Sequence, residues 1–291
     1  MNEQNFDYLK KQQKYMEVGD RLHEVLERAI SKGLPKFDLA ITASHPVLGD
    51  TSGTKRDFAR YQLEYSRSAK SDDYYLNANN VTLYMANEPF PRTQRFDLQH
   101  FPQFTLTEAY NLLSGRAVEK LVPKRDDKGE LIRDDQGKAV LQPVFYKIDT
   151  SIKDAYNSHP VRPYYPGYKF DLEQTLANYR PENIKASRKD EDPLKSLRRG
   201  DFIEATIPIG KKKTDVYMAA DPEWKSMEVY DKKGVLVHNK TIFPELQEKK
   251  NDQKASKEAS ANQAKDQTPE WQNQQSYSEE NTQKRTAGVS R

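Results

Sequence analysis

Histidine is the residue type in this sequence best suited to binding a metal or moving a proton, and it occurs at five positions: His23, His45, His100, His159 and His238. No two of them stand at the spacing with which one helix presents a pair of zinc ligands. The chain has no cysteine, which excludes disulfides, thiolate metal sites and cysteine nucleophiles. We therefore predict no metal and no cofactor, because no motif supports a site built from distant parts of the chain.

Two pairs of neighbouring carboxylates could act as general acid and base: Asp126 with Asp127, and Asp134 with Asp135. Each pair begins an Asp-Asp-x-Gly sequence, which is typical of tight turns. We therefore interpret both segments as hairpin tips that project into solvent.

Residues 49–55 read GDTSGTK and resemble a phosphate-binding loop at first sight. A Walker loop needs glycine directly before its lysine and serine or threonine directly after it, whereas here Thr54 precedes Lys55 and Arg56 follows. We expect a flexible loop instead.

The chain also lacks the Gly-x-Ser-x-Gly sequence of a nucleophile elbow. These observations predict that the protein is not an enzyme, and an enzyme with a scattered site is the alternative.

Two sets of residues could instead contact nucleic acid or a protein partner. The basic set, expected near one end of the third predicted unit, comprises Arg198, Arg199, Lys211, Lys212 and Lys213. The aromatic set, whose rings could stack on unpaired bases, comprises Arg162, Tyr164, Tyr165, Tyr168 and Lys169. We favour a structural explanation for both sets, because solvated hairpin tips and tyrosines packed over a sheet use the same residue types.

The elements that must position these side chains share one arrangement. Thr105 and Glu108 have the spacing of a capping box, and they precede an apolar helical face, the helix stop Gly115 and a strand. The same order recurs around Gly33 and Gly200 at nearly equal spacing. We therefore predict an α+β fold of repeated units, each a short helix, a glycine and antiparallel β strands, with coincidence as the alternative.

The remaining patterns predict the other elements. Further helices are expected at residues 3–17, at residues 20–32 with Asp20 as the cap, and behind the cap Asp192. Tyrosine-bearing strands are expected at residues 58–65 and 74–85. Residues 87–104 contain three prolines and read as a connector, and residues 153–170 read as an aromatic loop.

Composition changes from residue 245 onward, where Asn, Gln, Lys, Ser and Glu dominate. Such a segment buries too little apolar surface to offset its chain entropy, so we expect a disordered tail. The predicted organisation is three α+β units and this tail, with boundaries at 1–90, 91–185, 186–244 and 245–291.

Composition also limits the class of protein. Hydrophobic residues make up 35% and charged residues 31% of the chain, and the net charge of +3 gives no global basic field. The N-terminal residues are polar and lack the order of a signal peptide. No apolar run approaches the roughly 20 residues of a membrane span. We therefore expect a cytoplasmic protein that does not enter membranes.

Several segments together resemble a known family: residues 1–10 (MNEQNFDYLK), 105–120, 196–200 (SLRRG), 220–225 (ADPEWK) and 229–231 (VYD). The family consists of proteins carried on conjugative elements of Bacteroides-type bacteria. Its helix–glycine–strand units are similar to a domain of unknown function appended to topoisomerase- and primase-like proteins of those elements. The family usually has Gly-Phe-Gly near residue 18, where this chain has Glu17-Val18-Gly19. The resemblance implies a setting in mobile-element DNA processing and carries over no catalytic residue.

These observations lead to three hypotheses about function. The first is a non-enzymatic accessory protein of a conjugative element that binds a protein partner or nucleic acid. The second is direct binding of single-stranded or duplex nucleic acid through the basic and aromatic sets, with an affinity that falls steeply with salt. The third is an enzyme, for which we expect a deep pocket with converging titratable groups.

Overall fold

The computed structural model describes residues 2–154 and 158–244. The chain divides into two compact units, Met1–Ile242 and Phe243–Arg291, and the described helices and strands all belong to the first. The predicted disordered tail, residues 245–291, lies outside the described residues.

Three antiparallel sheets contain the strands of the described residues. The first sheet has the order β1-β2-β3-β4, with β1 at Lys36–Pro46, β2 at Arg56–Arg67, β3 at Tyr74–Tyr84 and β4 at Arg92–Asp97. The second has the order β5-β6-β7, with β5 at Val118–Pro123, β6 at Leu141–Ile148 and β7 at Val161–Tyr164. The third has the order β11-β10-β9-β8, with β8 at Glu182–Lys185, β9 at Ile203–Ile209, β10 at Lys212–Asp221 and β11 at Ser226–Asp231.

The helices are short and lie between or beside these sheets. They are α1 at Glu3–Tyr15, α2 at His23–Ser31, α3 at Leu106–Leu113, α4 at Leu172–Asn178, α5 at Pro193–Arg198 and α6 at Asn239–Ile242. Short helices together with antiparallel sheets confirm the predicted α+β class. Among the described residues, no helix has both the length and the apolar character needed to cross a bilayer.

One predicted helix cap is confirmed and another is wrong. The Thr105 hydroxyl accepts a hydrogen bond from the Glu108 amide at 3.2 Å, and the Glu108 carboxylate accepts one from the Thr105 amide at 2.8 Å. Asp20 does not cap α2, which starts at His23 and has no side-chain cap. The chain turns through left-handed residues at Glu17 and Gly19, both with φ of 66°, so the helix begins later than predicted.

Two segments predicted to lack secondary structure contain strands. Residues 87–104 contain β4, which their prolines flank rather than interrupt, so that β4 can pair with β3 along its length. Residues 153–170 contain β7 and a short 3₁₀ turn at Pro166–Tyr168. Pro163 is tolerated within β7 because β7 is an edge strand. The short strand β8 was also not predicted, because its four residues are all exposed and show no alternation.

Gly33, Gly115 and Gly200 lie in comparable local settings. Each lies two residues after the last residue of a helix, with φ of 66°, 87° and 82° respectively. In each case a strand starts three residues further on. The sheets to which these strands belong have four, three and four strands, and β8 of the third sheet precedes Gly200.

The core lies on one face of the first sheet. Alternate residues of β2 are buried there, including Ala59, Tyr61, Leu63 and Tyr65. The same cluster includes Leu9 and Met16 from the α1 region, Phe104, and Leu112 and Leu113 of α3. The amphipathic helices α1 and α3 therefore cover the sheet, as their apolar faces predict.

Asn79 lies in β3 between Leu63 and Phe96 of the neighbouring strands and is only 2% exposed. Neither polar atom of its side chain has a hydrogen-bond partner among the described residues. Burying an unpaired amide costs about 1–3 kcal/mol, so we expect Asn79→Leu to raise the free energy of unfolding by a similar amount. Urea unfolding measures the change. The matched control is Asn80→Leu, which removes a hydrogen bond to Glu64 on the opposite face and should not stabilise the fold. A loss of stability in Asn79→Leu would contradict the argument.

Candidate functional site

The structure does not bring the five cations of the basic set together. Arg198 and Arg199 end α5, before β9 begins, whereas Lys211, Lys212 and Lys213 follow the end of β9. A strand of this length separates its ends by about 20 Å. The two groups of cations therefore lie at opposite ends of β9.

Three of these cations are also engaged in ion pairs. Arg198 Nη2 lies 2.9 Å from Glu173 Oε1, and Lys213 Nζ lies 2.6 Å from Glu182 Oε2. Arg199 is buried and forms ion pairs with both Glu191 and Asp201. Lys211 and Lys212 are exposed. Ion pairs therefore engage three of the five cations, which leaves the charges of Lys211 and Lys212 available to a phosphate backbone.

The aromatic set is more compact. The rings of Tyr164 and Tyr168 meet edge to face, with centroids 5.2 Å apart. The Tyr168 hydroxyl donates to the Glu223 carbonyl at 2.8 Å, which fastens this segment to the turn between β10 and β11. Arg162 pairs with Asp149 at 2.8 Å. The predicted packing of tyrosines over a sheet thus coexists with partial exposure of Tyr165, at 50%.

The Asp-Asp-x-Gly segments form the predicted tight turns. Asp126 Oδ1 accepts hydrogen bonds from the amides of Lys128 and Glu130, both at 2.9 Å. Asp134 Oδ1 makes the same pair of contacts with Gln136 and Lys138, also at 2.9 Å. One carboxylate oxygen in each segment therefore serves to hold its turn.

A cleft of about 790 Å³ is lined by residues of the first sheet, of α3 and of the third sheet. Five of its lining residues carry aromatic rings: His45, Tyr110, Phe202, Tyr217 and Tyr230. Arg116, which directly follows Gly115, also lines the cleft. Clefts of this size and lining are typical of ligand-binding sites, and we take this cleft as the candidate site.

Four rings and one guanidinium in the cleft contact one another in sequence, and we call His45, Tyr110, Arg116, Phe202 and Tyr230 the planar row. The His45 and Tyr110 rings are nearly parallel, at 6°, with centroids 3.7 Å apart. Arg116 Cζ lies 5.2 Å from the Tyr110 centroid and 4.6 Å from that of Phe202. The Phe202 and Tyr230 rings meet edge to face, at 80°, with centroids 5.4 Å apart. The planar row therefore runs from β1 through α3 to β11.

Local structure explains why these residues meet. His45 lies near the end of β1, opposite Asp57 at the start of β2. Tyr110 lies on α3, and the glycine stop after α3 turns the chain so that Arg116 reaches the carbonyl oxygen of Gly200, where Nη1 donates at 2.9 Å. Asn111, also on α3, donates to the Arg199 carbonyl at 2.8 Å. The end of α3 is thus fastened to the end of α5, which places Phe202 beside Arg116.

The rim of the cleft contains the segment that resembled a phosphate loop. The Asp50 carboxylate accepts from the Ser52 amide at 3.2 Å and from the Lys55 amide at 2.7 Å, which closes the loop on itself. The Gly49 backbone packs against the turn that follows β11: a Cβ atom at Gly49 would lie 2.1 Å from the carbonyl carbon of Lys233. The loop therefore borders the cleft through backbone contact rather than through a lysine.

Burial sets the protonation of the groups in the cleft. Burial and the charge of Arg116 lower the pKa of His45 to about 4, so the imidazole is neutral at pH 7. Burial, with the charge of Asp57, raises the pKa of Tyr110 to about 12. The Tyr110 hydroxyl donates to Asp57 Oδ2 at 3.0 Å, and the Ala86 amide donates to Asp57 Oδ1 at 2.8 Å. Asp57 is thus a buried carboxylate with both oxygens bonded.

Sequence reasoning did not single out the planar row. Its members lie far apart in the sequence, and arginine after a helix-ending glycine has no motif to mark it. Among the described residues, no group of three histidines or carboxylates is arranged to hold a metal ion. Comparisons of this chain with protein-family models, with curated proteins and with solved structures find no match.

Proposed function

We propose that this protein is a non-enzymatic accessory module of a conjugative mobile element that acts in the cytoplasm and holds a protein or nucleic-acid partner in the cleft. The observation that carries the proposal is the cleft of about 790 Å³ with its five aromatic side chains. Aromatic rings provide large contact areas at low conformational cost and dominate many binding surfaces. The resemblance of residues 1–10 and 105–120 to proteins of conjugative elements supports the mobile-element setting.

The state of the acidic groups supports binding rather than turnover. Asp57 has hydrogen bonds on both oxygens, and Asp201 accepts from Ser187 at 2.7 Å and from Asn111 at 2.8 Å. Asp50 is used to close its own loop. A general base needs a free oxygen or nitrogen within reach of a substrate proton, and these carboxylates hold the fold together instead.

The proposal includes a common origin for the three helix–glycine–strand segments. The left-handed conformation at Gly33, Gly115 and Gly200 and the equal offset to the next strand support it. A repeat would also account for the three small sheets, although coincidence of common helix endings gives the same local pattern.

Direct nucleic-acid binding is the second candidate, and one observation favours it. Tyr165, Tyr168 and Trp224 are 50%, 41% and 76% exposed, and Lys225 Nζ lies 4.5 Å from the centre of the Tyr168 ring. Exposed rings beside cations can stack on unpaired bases. Retention of a nucleic acid that falls steeply with salt and does not depend on the cleft would favour this candidate.

An enzyme is the third candidate, because the cleft does bring titratable groups together. His45 is neutral and lies across the strand pair from Asp57. Chemical conversion of a molecule retained in the cleft would favour this candidate, whereas recovery of the molecule unchanged supports a binding module.

The test compares partner capture by the full chain with that by two variants of the same type. Tyr217→Ala removes a ring that lines the cleft, and Tyr84→Ala removes an equally large ring, 51% exposed, that does not line it. We expect Tyr217→Ala to weaken retention of a partner from host cells by about tenfold, because an aromatic side chain that a partner covers contributes roughly 1–2 kcal/mol. Quantitative capture at several bait concentrations measures the loss.

Parallel nuclease treatment separates protein from nucleic-acid partners. Equal retention by both variants and the natural chain would reject the cleft as the binding site.

A further inference from the structure

Arg116 is a buried cation with unused hydrogen-bonding capacity. Its side chain is 7% exposed and lines the cleft. Nη1 donates to the Gly200 carbonyl oxygen at 2.9 Å, and Nε has no partner among the described residues. Arginine carries five N–H donors in a planar fork, so most of this fork is not engaged by the described part of the chain.

The contacts that hold Arg116 do not neutralise it. The faces of Tyr110 and Phe202 attract the guanidinium and fix its plane. These rings accept no strong hydrogen bond from its edge. Burial lowers the pKa of Arg116, but a guanidinium stays protonated in proteins. A buried charge without an ion-pair partner is costly unless a ligand or another polar group compensates it.

The neighbouring carboxylates are committed elsewhere. Asp201 is held by Ser187, Asn111 and Arg199, and Asp57 by Tyr110 and Ala86. No carboxylate of the described residues forms an ion pair with Arg116. The other two cations lining the cleft are paired: Arg188 with Glu17 at 2.7 Å, and Lys232 with Glu204 at 2.8 Å. Arg116 is therefore distinguished from them by its lack of a partner.

We infer that Arg116 is the anchor for a ligand that carries an oxyanion, a carboxylate or a phosphate, on an aromatic ring. The oxyanion accepts from the free edge of the guanidinium, which matches both groups in geometry. The ring packs among the aromatic side chains of the cleft, whose volume exceeds that of an oxyanion alone. This inference rests on the proposed function, since it names the chemistry of the group that the cleft holds.

Calorimetric titration of the full chain with simple probes tests the inference. Phenyl phosphate and benzoate carry both a ring and an oxyanion, phenol carries the ring alone, and inorganic phosphate and acetate carry the oxyanion alone. We expect one or both of the first two to bind with Kd of about 1 mM or tighter, and the other three at least about tenfold more weakly. The comparison of phenyl phosphate with benzoate identifies the oxyanion. Equal affinity for ring-free and ring-bearing anions, or no binding at millimolar concentration, would overturn the inference.

The matched variants are Arg116→Met and Lys211→Met, which remove the same charge from the cleft and from an exposed turn. Loss of charge-assisted hydrogen bonds should weaken probe binding in Arg116→Met by about tenfold to a hundredfold, with no change in Lys211→Met. Arg116→Lys, which keeps the charge but loses the fork, serves if the methionine variant does not fold, and it should also weaken binding. Unchanged binding in a folded Arg116 variant would reject the assignment. The two experiments also separate the inference from the proposed function. If the probes do not bind but partner capture still depends on Tyr217, the inference about Arg116 is rejected and the proposed function stands. If the probes bind but no partner is captured, only the proposed function is rejected.

Discussion

Replacing Gly200 with alanine is expected to lower the free energy of unfolding by about 2–5 kcal/mol. Gly200 has a φ of +82°, a region that costs a residue with a side chain about 1–2 kcal/mol. A Cβ atom there would lie 2.7 Å from the Ala117 carbonyl oxygen and 3.0 Å from Val118 Cγ2, so the backbone must move. That movement adds the cost of overpacking, about 1–3 kcal/mol.

Gly115→Ala is the matched control for this substitution. Its φ of +87° is similar, but a Cβ atom at Gly115 would have no neighbour within 4 Å. We therefore expect a loss of only about 1–2 kcal/mol, from backbone strain alone. Urea unfolding of the two variants and the natural chain measures both values. Equal losses in the two variants would show that the close approach at Gly200 does not matter.

The second large effect is expected at Arg199, which is the centre of a buried ion-pair network. Its Nη2 lies 2.6 Å from Glu191 Oε2 and 2.5 Å from Asp201 Oδ2. Arg199→Met should lower the free energy of unfolding by about 3–5 kcal/mol at pH 7, because it leaves two carboxylates without their cation. The control is Arg198→Met, whose exposed ion pairs should contribute no more than about 1 kcal/mol.

The pH dependence of the Arg199 effect has a definite sign. The hydrogen bond from Arg199 lowers the pKa of Glu191 to about 2 in the folded protein. A carboxyl group whose pKa is lowered on folding stabilises the protein above its ordinary pKa, and this contribution is lost as the pH falls toward the folded value. The difference in stability between the natural chain and Arg199→Met should therefore narrow from about pH 5 to pH 2. Titration of His45 is common to both chains and cancels in the difference. A difference that stays constant over this range would contradict the assignment.

Local signals in the sequence were sufficient for much of the fold. Thr105 and Glu108 form the capping box that their spacing predicted, and Asp192 with Pro193 starts α5 as expected. These elements depend on interactions within four residues, which a single sequence displays. Asp20 failed as a cap because burial of Val18 and the turn around it determine where α2 starts.

Strands that depend on a neighbour were less predictable. β4 gains its hydrogen bonds from β3, and β8 pairs with β9 only at Glu204 and Thr206. Pro208 lies beyond that pairing, which explains how a proline fits into a strand that has neighbours on both sides. The sequence displays neither fact, because both depend on contacts between distant segments.

The candidate site could not be predicted from the sequence for the same reason. Contacts of the α3 region with β1 and with the end of α5 bring four residues together, and each is unremarkable in its own segment: His45, Tyr110, Arg116 and Phe202. The basic set is spread by the fold, since β9 separates Arg199 from Lys211, whereas Tyr164 and Tyr168 of the aromatic set remain in contact. Clustering along the chain therefore predicted proximity in the folded molecule for one set and not for the other.

The hydrogen bonds between the α3 region and the end of α5 determine where the chain can be truncated. Asn111 and Arg116 donate to carbonyl groups of Arg199 and Gly200, and both donors are buried. A fragment that stops before residue 186 would strip these donors of their acceptors and open the Arg116 side of the core to water. The helix–glycine–strand segments thus share buried hydrogen bonds within one compact unit, and we expect truncation at their borders to destabilise the remaining fragment.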